Sequence, residues 1–155
     1  MNTSFVVPKG EGVSLSVLSS LRGAAVPAWV GGGGKIDPIQ HCGDLSMLSS
    51  TTICVCGSRK ASDRGLAWVR LLVKSLVRAN MTVLSGLARG IDVQAHLTAM
   101  QLGGKTAAML GTPIDRVYPP EHESLQTLIG NEQLLLSPFA SGAPIRKGNF
   151  VTRNK

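Results

Sequence analysis

Basic side chains stand beside glycine at three places: Gly57-Ser58-Arg59-Lys60-Ala61-Ser62, Ser85-Gly86-Leu87-Ala88-Arg89-Gly90, and a terminal stretch from Arg146 through Lys147-Gly148-Asn149-Phe150 to Arg153. A residue without a Cβ lets backbone N–H groups come close to an anion, and a helix starting just behind adds the positive end of its dipole. Arginine and lysine then hold phosphate by charge. Two such corners side by side suit a polymer backbone. In the terminal stretch Arg146, Lys147, Arg153 and Lys155 surround a single aromatic, Phe150. A ring beside cationic groups is the usual means of stacking a base while its phosphates are held. Blander readings stand next to these: Gly86 and Gly90 permit tight turns with Arg89 paired to Asp92, Asp92 serves the helix dipole, and Phe150 plugs the core.

Other chemistries find less support. The first loop is not Gly-x-Gly-x-x-Gly, no acidic residue ends the second strand to hold a ribose, and Gly-x-x-x-x-Gly-Lys-Ser/Thr is absent, so neither a nicotinamide cofactor nor a nucleotide-hydrolysing P-loop is expected. His96 falls inside a helix, as a hydrogen-bonded packing residue would, and His122 at a helix start, open to solvent. No Ser or Cys nucleophile has a base and an orienting partner at motif spacing. Cys54 and Cys56 read as reduced core thiols on one side of a strand, badly placed for a mutual bridge. Cys42 and His41 do not complete a metal set at the usual spacings. No catalytic residue, cofactor or metal is expected.

The elements that position these loops follow from periodicity. Residues 51–56 form an apolar, β-branched run ending at Gly57, the pattern of a strand buried on both faces. Ser62 or Asp63 caps a helix whose Leu66, Val69, Leu72, Val73, Leu76 and Val77 fall on one stripe, closed by Asn80. A strand over 81–84, a helix over 91–102 ended by Gly103-Gly104, a strand over 105–110, a helix from Pro119-Pro120-Glu121 to Ile129 and a strand over 134–136 follow. Alternation at this spacing predicts an α/β fold: a Rossmann-like three-layer sandwich with a mainly parallel sheet and right-handed crossovers. Ligands of such sheets sit beyond the carboxyl ends of the strands, near a switch in strand order. All three basic loops belong there.

With 155 residues, 43% hydrophobic and 16% charged, the chain has the size and composition of one globular domain. No apolar run approaches the roughly 20 residues that cross a bilayer, and the first seven residues lack the basic start of a secretory signal, so the cytoplasm is expected. The net charge of +7 is unevenly placed: residues 1–50 balance 3 basic against 3 acidic, and the remainder holds 13 against 6. One-sided basicity favours a polyanion partner. Residues 1–42 are rich in Ser and Gly and read as a largely irregular arm, with a two-turn helix over 14–21 and a flexible turn at Gly31–34.

Five blocks then fall in one order: Gly57-Ser58-Arg59-Lys60-Ala61-Ser62; Ser85-Gly86-Leu87-Ala88-Arg89-Gly90-Ile91-Asp92 with Ala95-His96; Gly103-Gly104-Lys105-Thr106; Val117-Tyr118-Pro119-Pro120-Glu121; and Gly148-Asn149-Phe150 with Arg153-Asn154. Together they resemble the DprA/Smf family of DNA-processing proteins over residues 43–155, the lead-in being Gly43-Asp44-Leu45-Ser46-Met47-Leu48. The resemblance implies a non-enzymatic domain that binds single-stranded DNA with little sequence preference and helps load a RecA-type recombinase in natural transformation. It places Arg59 and Lys147 as phosphate contacts, Phe150 as the aromatic against a base, and Ser85, Gly86, Arg89 and Gly90 in a second pocket loop. Gly57, Ser58, Lys60, Gly148, Asn149 and Arg153 complete the expected DNA-binding set. The family continues past Arg153-Asn154, so the sheet is expected to be incomplete at its C-terminal side, and self-association into a homo-oligomer is expected with it.

Two further readings share the glycine loops. One is a nucleotide sensor using the same pocket. The other is a nucleoside-monophosphate hydrolase of the lysine-decarboxylase-like Rossmann group, whose Pro-Gly-Gly-x-Gly-Thr segment and paired glutamates this chain lacks. Fold-level analogy does not separate a sensor from a DNA binder.

Overall fold

In a computed structural model, residues 13–18, 28–30 and 36–153 are described. Four parallel strands, β5 (Thr52–Gly57), β6 (Thr82–Ser85), β7 (Thr106–Met109) and β8 (Leu134–Ser137), lie side by side in chain order. An antiparallel strand flanks each side. β1 (Val13–Leu18) pairs with β5, and β4 (Gln40–Gly43) pairs with β8. β2 (Ala28–Val30) and β3 (Ile36–Pro38) form a separate hairpin-like pair. The fold is the Rossmann-like α/β arrangement that the alternation predicts. No reversal of order occurs among the four parallel strands, so here the carboxyl-end rule locates the site without a switch point.

The alternating side chains of the strands feed two cores. Ile53, Val55 and Val83 point to the face covered by α1 (Asp63–Arg78) and α2 (Ile91–Gln101), meeting Val69, Val73, Leu76, Ala95 and Ala99. Ala108 and Leu135 join Ile129 of α3 (Glu123–Glu132) on that face. Leu84, Ala107, Leu134 and Leu136 point the other way, under Ile39 and Leu48. Leu48 belongs to a 3-10 turn, Leu45–Ser49, capped by Asp44, whose carboxylate accepts from the Ser46 N–H at 2.8 Å and from its hydroxyl at 2.7 Å. Among the described residues, one face of the sheet thus carries three α-helices and a short turn packs on the other.

Several boundaries differ from those the sequence predicts. Ser62 caps α1, accepting from the Gly65 N–H at 3.1 Å, as expected. The third helix is preceded by a 3-10 turn, Pro120–His122, with proline in its first turn, where a missing backbone donor costs nothing. Val13–Leu18 is a strand, whereas apolar spacing there predicts a helix. Its Val-Ser-Leu-Ser-Val-Leu sequence also alternates with period two, and the register with β5 runs over all six residues. The glycine run at 31–34 lies outside the described residues. A seven-residue helix, α4 (Lys147–Arg153), occupies the terminal stretch, to which periodicity assigns no element. Among the described residues no helix is long and apolar enough to cross a membrane.

Candidate functional site

The carboxyl ends of β5, β6 and β7 converge with α4 on one pocket of about 190 Å³. Its wall is formed by Arg59 and Lys60 after β5, by Gly86, Ala88 and Arg89 after β6, by Tyr118 and Pro119 after β7, and by Phe150 of α4. Of the expected DNA-binding residues, Arg59, Lys60, Gly86, Arg89 and Phe150 line it directly.

The first two loops are fastened to one another. Ile91 donates its N–H to the Ser58 carbonyl at 3.2 Å, and the Ser58 hydroxyl accepts from the Lys60 N–H at 3.1 Å. Gly90, with φ +75°, sits where a Cβ would run into the Ser58 carbonyl oxygen, so glycine is required on both counts. Asp92, in the first turn of α2, is 3% exposed and accepts from the N–H groups of Gly57 at 3.3 Å, Gly86 at 3.2 Å and Ala88 at 3.4 Å. Burial pushes its carboxyl above the ordinary value, against the opposing pull of Arg153 and of those three donors. The Gly57 and Gly86 donors that the glycine pattern offers to an outside anion are therefore satisfied from within the fold.

Ser85 is buried, and its hydroxyl donates to the Val55 carbonyl at 2.6 Å, tying β6 to β5. Arg89 pairs with Glu121, not with Asp92. Its Nε donates to Glu121 Oε1, and that bond holds the Glu121 carboxyl below its ordinary value. The two loops carrying this pair are joined beneath it, where His122 Nδ1 donates to the Leu87 carbonyl at 2.9 Å. His122 is half-buried and engaged, which corrects the solvent-open reading.

Phe150 and Arg153 are three residues apart on α4 and share its inward face. The Arg153 guanidinium donates from Nη1 to the carbonyls of Gly86 and, at 3.2 Å, Met109, bridging the ends of β6 and β7. A Cβ on Gly86 would fall on that guanidinium, so the glycine makes room for an arginine and not for a ligand. Phe150 lies against Gly111, where a Cβ would meet the ring. Its centroid is 5.0 Å from that of Tyr118, with the rings tilted by 42°, and 5.4 Å from the Arg59 guanidinium carbon. The ring is half-buried. Phe150 is thus packed against Gly111 and Tyr118 and partly open to solvent.

Lys147 and Gly148 are exposed at the start of α4, one turn before Phe150, and do not line the pocket. The Asn149 side chain donates to the Pro144 carbonyl at 3.5 Å. Tyr118, Pro119 and Ala88 are pocket residues that spacing did not single out. Tyr118 had a signal, an aromatic before two prolines at a carboxyl-end loop, and at 43% exposure it is one of the larger apolar surfaces present.

The remaining candidates are structural. His96 is fully buried and donates from Nδ1 to the Thr106 hydroxyl at 2.7 Å, while Thr106 itself donates to the Val83 carbonyl at 2.8 Å. Burial lowers its pKa to about 3. The Cys54 and Cys56 sulfurs lie 3.5 Å apart on one side of β5, and that contact together with burial raises the Cys56 thiol. Neither group has the setting of a catalytic base or nucleophile.

Comparison with known proteins gives a consistent set. The family model described as DNA recombination-mediator protein A matches residues 38–155. Protein Smf of Synechocystis sp. is 40% identical over 101 residues, 65% of this chain and 25% of that protein. DNA processing protein DprA of Streptococcus pneumoniae is 40% identical over 113 residues, 73% of this chain and 40% of that protein. The chain thus spans well under half the length of these curated relatives. The crystal structure of the pneumococcal protein superposes with a TM-score of 0.70 and 38% identity over 75% of this chain and 41% of that one. DNA processing protein A of Helicobacter pylori, whose structure is described for its single-stranded DNA binding mode, superposes with a TM-score of 0.68 over 90% of this chain and 62% of that one. At 23% identity that likeness bears on the fold alone.

Proposed function

Because this chain belongs to the DNA recombination-mediator protein A family, we propose that its carboxyl-end pocket binds single-stranded DNA with little sequence preference. The observation that carries this reading is the placement of Arg59 over the Phe150 ring, with Tyr118 beside it and Lys60 and Arg89 on the rim. A base would stack on the aromatic surface, and the phosphates beside it would meet the cations that line the same pocket. Lys147, one helical turn from Phe150, extends the cationic path along the strand.

In this reading Arg59 and Lys147 hold phosphates, and Phe150 stacks a base. Arg153, Gly57, Ser58, Ser85, Gly86 and Gly90 shape the loops that present those groups, and Gly148 and Asn149 set the turn of α4. The wider role is DNA processing in transformation and recombination in the cytoplasm, with a RecA-type recombinase and a second copy of the chain as protein partners. No step of bond-making or bond-breaking is assigned to the site.

The test is a pair of titrations, one with a labelled single-stranded oligonucleotide and one with mononucleotides. Micromolar or tighter binding of the oligonucleotide, with much weaker binding of mononucleotides, is the expected result. Tight binding of a mononucleotide with no gain from a longer strand would overturn the reading in favour of a nucleotide sensor.

A further inference from the structure

Arg89 stands on the pocket rim with its guanidinium already engaged by a carboxylate. Glu121 comes from the 3-10 turn that follows Tyr118 and Pro119, two pocket residues, so the carboxylate is carried on the same rim as the ligand wall. The pairing is not a chance meeting of two free side chains. The bond from His122 to the Leu87 carbonyl fixes the two loops together one residue away from Glu121 and two from Arg89. Both side chains remain largely open to water, at 62% for Arg89 and 47% for Glu121. An ion pair so exposed is weak and exchangeable, because water and salt screen it.

Resting on the DNA-binding reading, we propose that Glu121 is a placeholder anion: it occupies Arg89 in the free protein and yields the guanidinium to a phosphate of the incoming strand. A carboxylate oxygen and a phosphate oxygen are interchangeable acceptors for the same arginine donors. The exchange leaves Glu121 without its partner, so the contact at Arg89 adds less to affinity than a bare arginine would. It adds less to salt dependence as well, since a carboxylate released on binding draws cations from the buffer as the phosphate gives them up. Glu121 thereby keeps binding reversible while Arg89 stays oriented toward the strand.

Oligonucleotide affinity measured over a range of salt for the wild type, Glu121→Gln, Arg89→Ala and the double variant tests this. The expected outcome is a several-fold tighter Glu121→Gln protein, with a log–log salt slope steeper by up to about 0.7, the value for one more phosphate on a single strand. The gain must vanish in the Arg89→Ala background, because the carboxylate then holds nothing back. A gain that persists without Arg89 would be mere removal of a negative charge near a polyanion and would overturn the proposal. So would unchanged or weaker binding of Glu121→Gln. Failure of the wild type to bind any oligonucleotide is a separate result, which would instead remove the DNA-binding reading on which the proposal stands.

Discussion

The guanidinium carbon of Arg59 lies 5.4 Å from the centre of the Phe150 ring, although the two residues are 91 positions apart in the chain. Arg59 follows the first parallel strand and Phe150 belongs to the last helix, so the contact exists only when the sheet between them is formed. A cation above an aromatic face is attracted by the ring quadrupole, so the pair ties the loop after β5 to α4 at the pocket wall. Folding therefore assembles the site from sequence-distant parts.

Replacing Phe150 by alanine should weaken oligonucleotide binding by about 1 to 3 kcal/mol, the range found for base–aromatic stacking. The ring is only half-buried, so the stability cost should stay below the ~3 to 5 kcal/mol of a fully buried phenylalanine. Binding and denaturant unfolding measured on the same variant separate the two. A large stability loss with unchanged affinity would make Phe150 a core residue only.

Arg153 is expected to act through Phe150. A seven-residue helix is too short to persist alone, and the bonds from Arg153 to the Gly86 and Met109 carbonyls are what dock α4 on the strand ends. Arg153→Ala should lower oligonucleotide affinity and speed tryptic cleavage at Arg146 and Lys147. In the double variant with Phe150→Ala the two binding losses should be less than additive, since an undocked helix no longer presents the ring. Full additivity would point to an independent contact of Arg153 with the strand.

Arg59 and Lys147 approach the strand from different elements, and each should contribute one phosphate contact. Removing either by alanine should flatten the slope of log affinity against log salt by about 0.7, and removing both by about twice that. The loss should be the same for oligonucleotides of any base composition. An intact slope, or a changed base preference, would place these residues outside the phosphate path.

The parts legible in the sequence were those governed by local periodicity. The continuous run ending at Gly57, the stripe from Leu66 to Val77 and the Ser62 cap each state a local preference that the tertiary structure keeps. The loops at Ser58, Gly86 and Gly90 were legible as close approaches, but what approaches them was not. At Gly86 it is the Arg153 guanidinium, 67 residues away, and at Gly90 it is the Ser58–Arg59 backbone. Likewise Asp92 reads as an ordinary first-turn acid, and only the folded sheet brings the Gly57 N–H to it. α4 was missed because Gly148 and the β-branched Val151 and Thr152 give poor helix propensity, and its two anchoring residues, Phe150 and Arg153, are too few to show a period. Val13–Leu18 has apolar positions compatible with both periods, and pairing with the β5 edge decides between them.

His96 should set a large part of the acid sensitivity of the fold. Its Nδ1–H is used on Thr106, and Nε2 is buried without a hydrogen-bond partner, so adding a proton would place a second, unsatisfied donor and a charge in the interior. Burial, with a further push from Arg153 and His122, accordingly lowers the folded-state pKa to about 3 from the ordinary 6.5. Between these values the unfolded chain binds the proton and the folded chain does not. Stability is therefore fully present above about 6.5 and falls as the pH drops, by on the order of 1.4 kcal/mol per pH unit from this residue alone. Asp92 works in the opposite sense above the ordinary carboxylate value, because its raised pKa makes the folded chain the better proton acceptor there. The His96 effect is read most cleanly in the first pH unit below the ordinary imidazole value, farthest from the carboxylates. His96→Asn keeps a donor near Thr106, leaves a small void and lowers stability overall, but it should remove this slope. Unfolding free energies from denaturant titrations at several pH values give the slope for each protein, and an undiminished slope in His96→Asn would assign the acid sensitivity to another group.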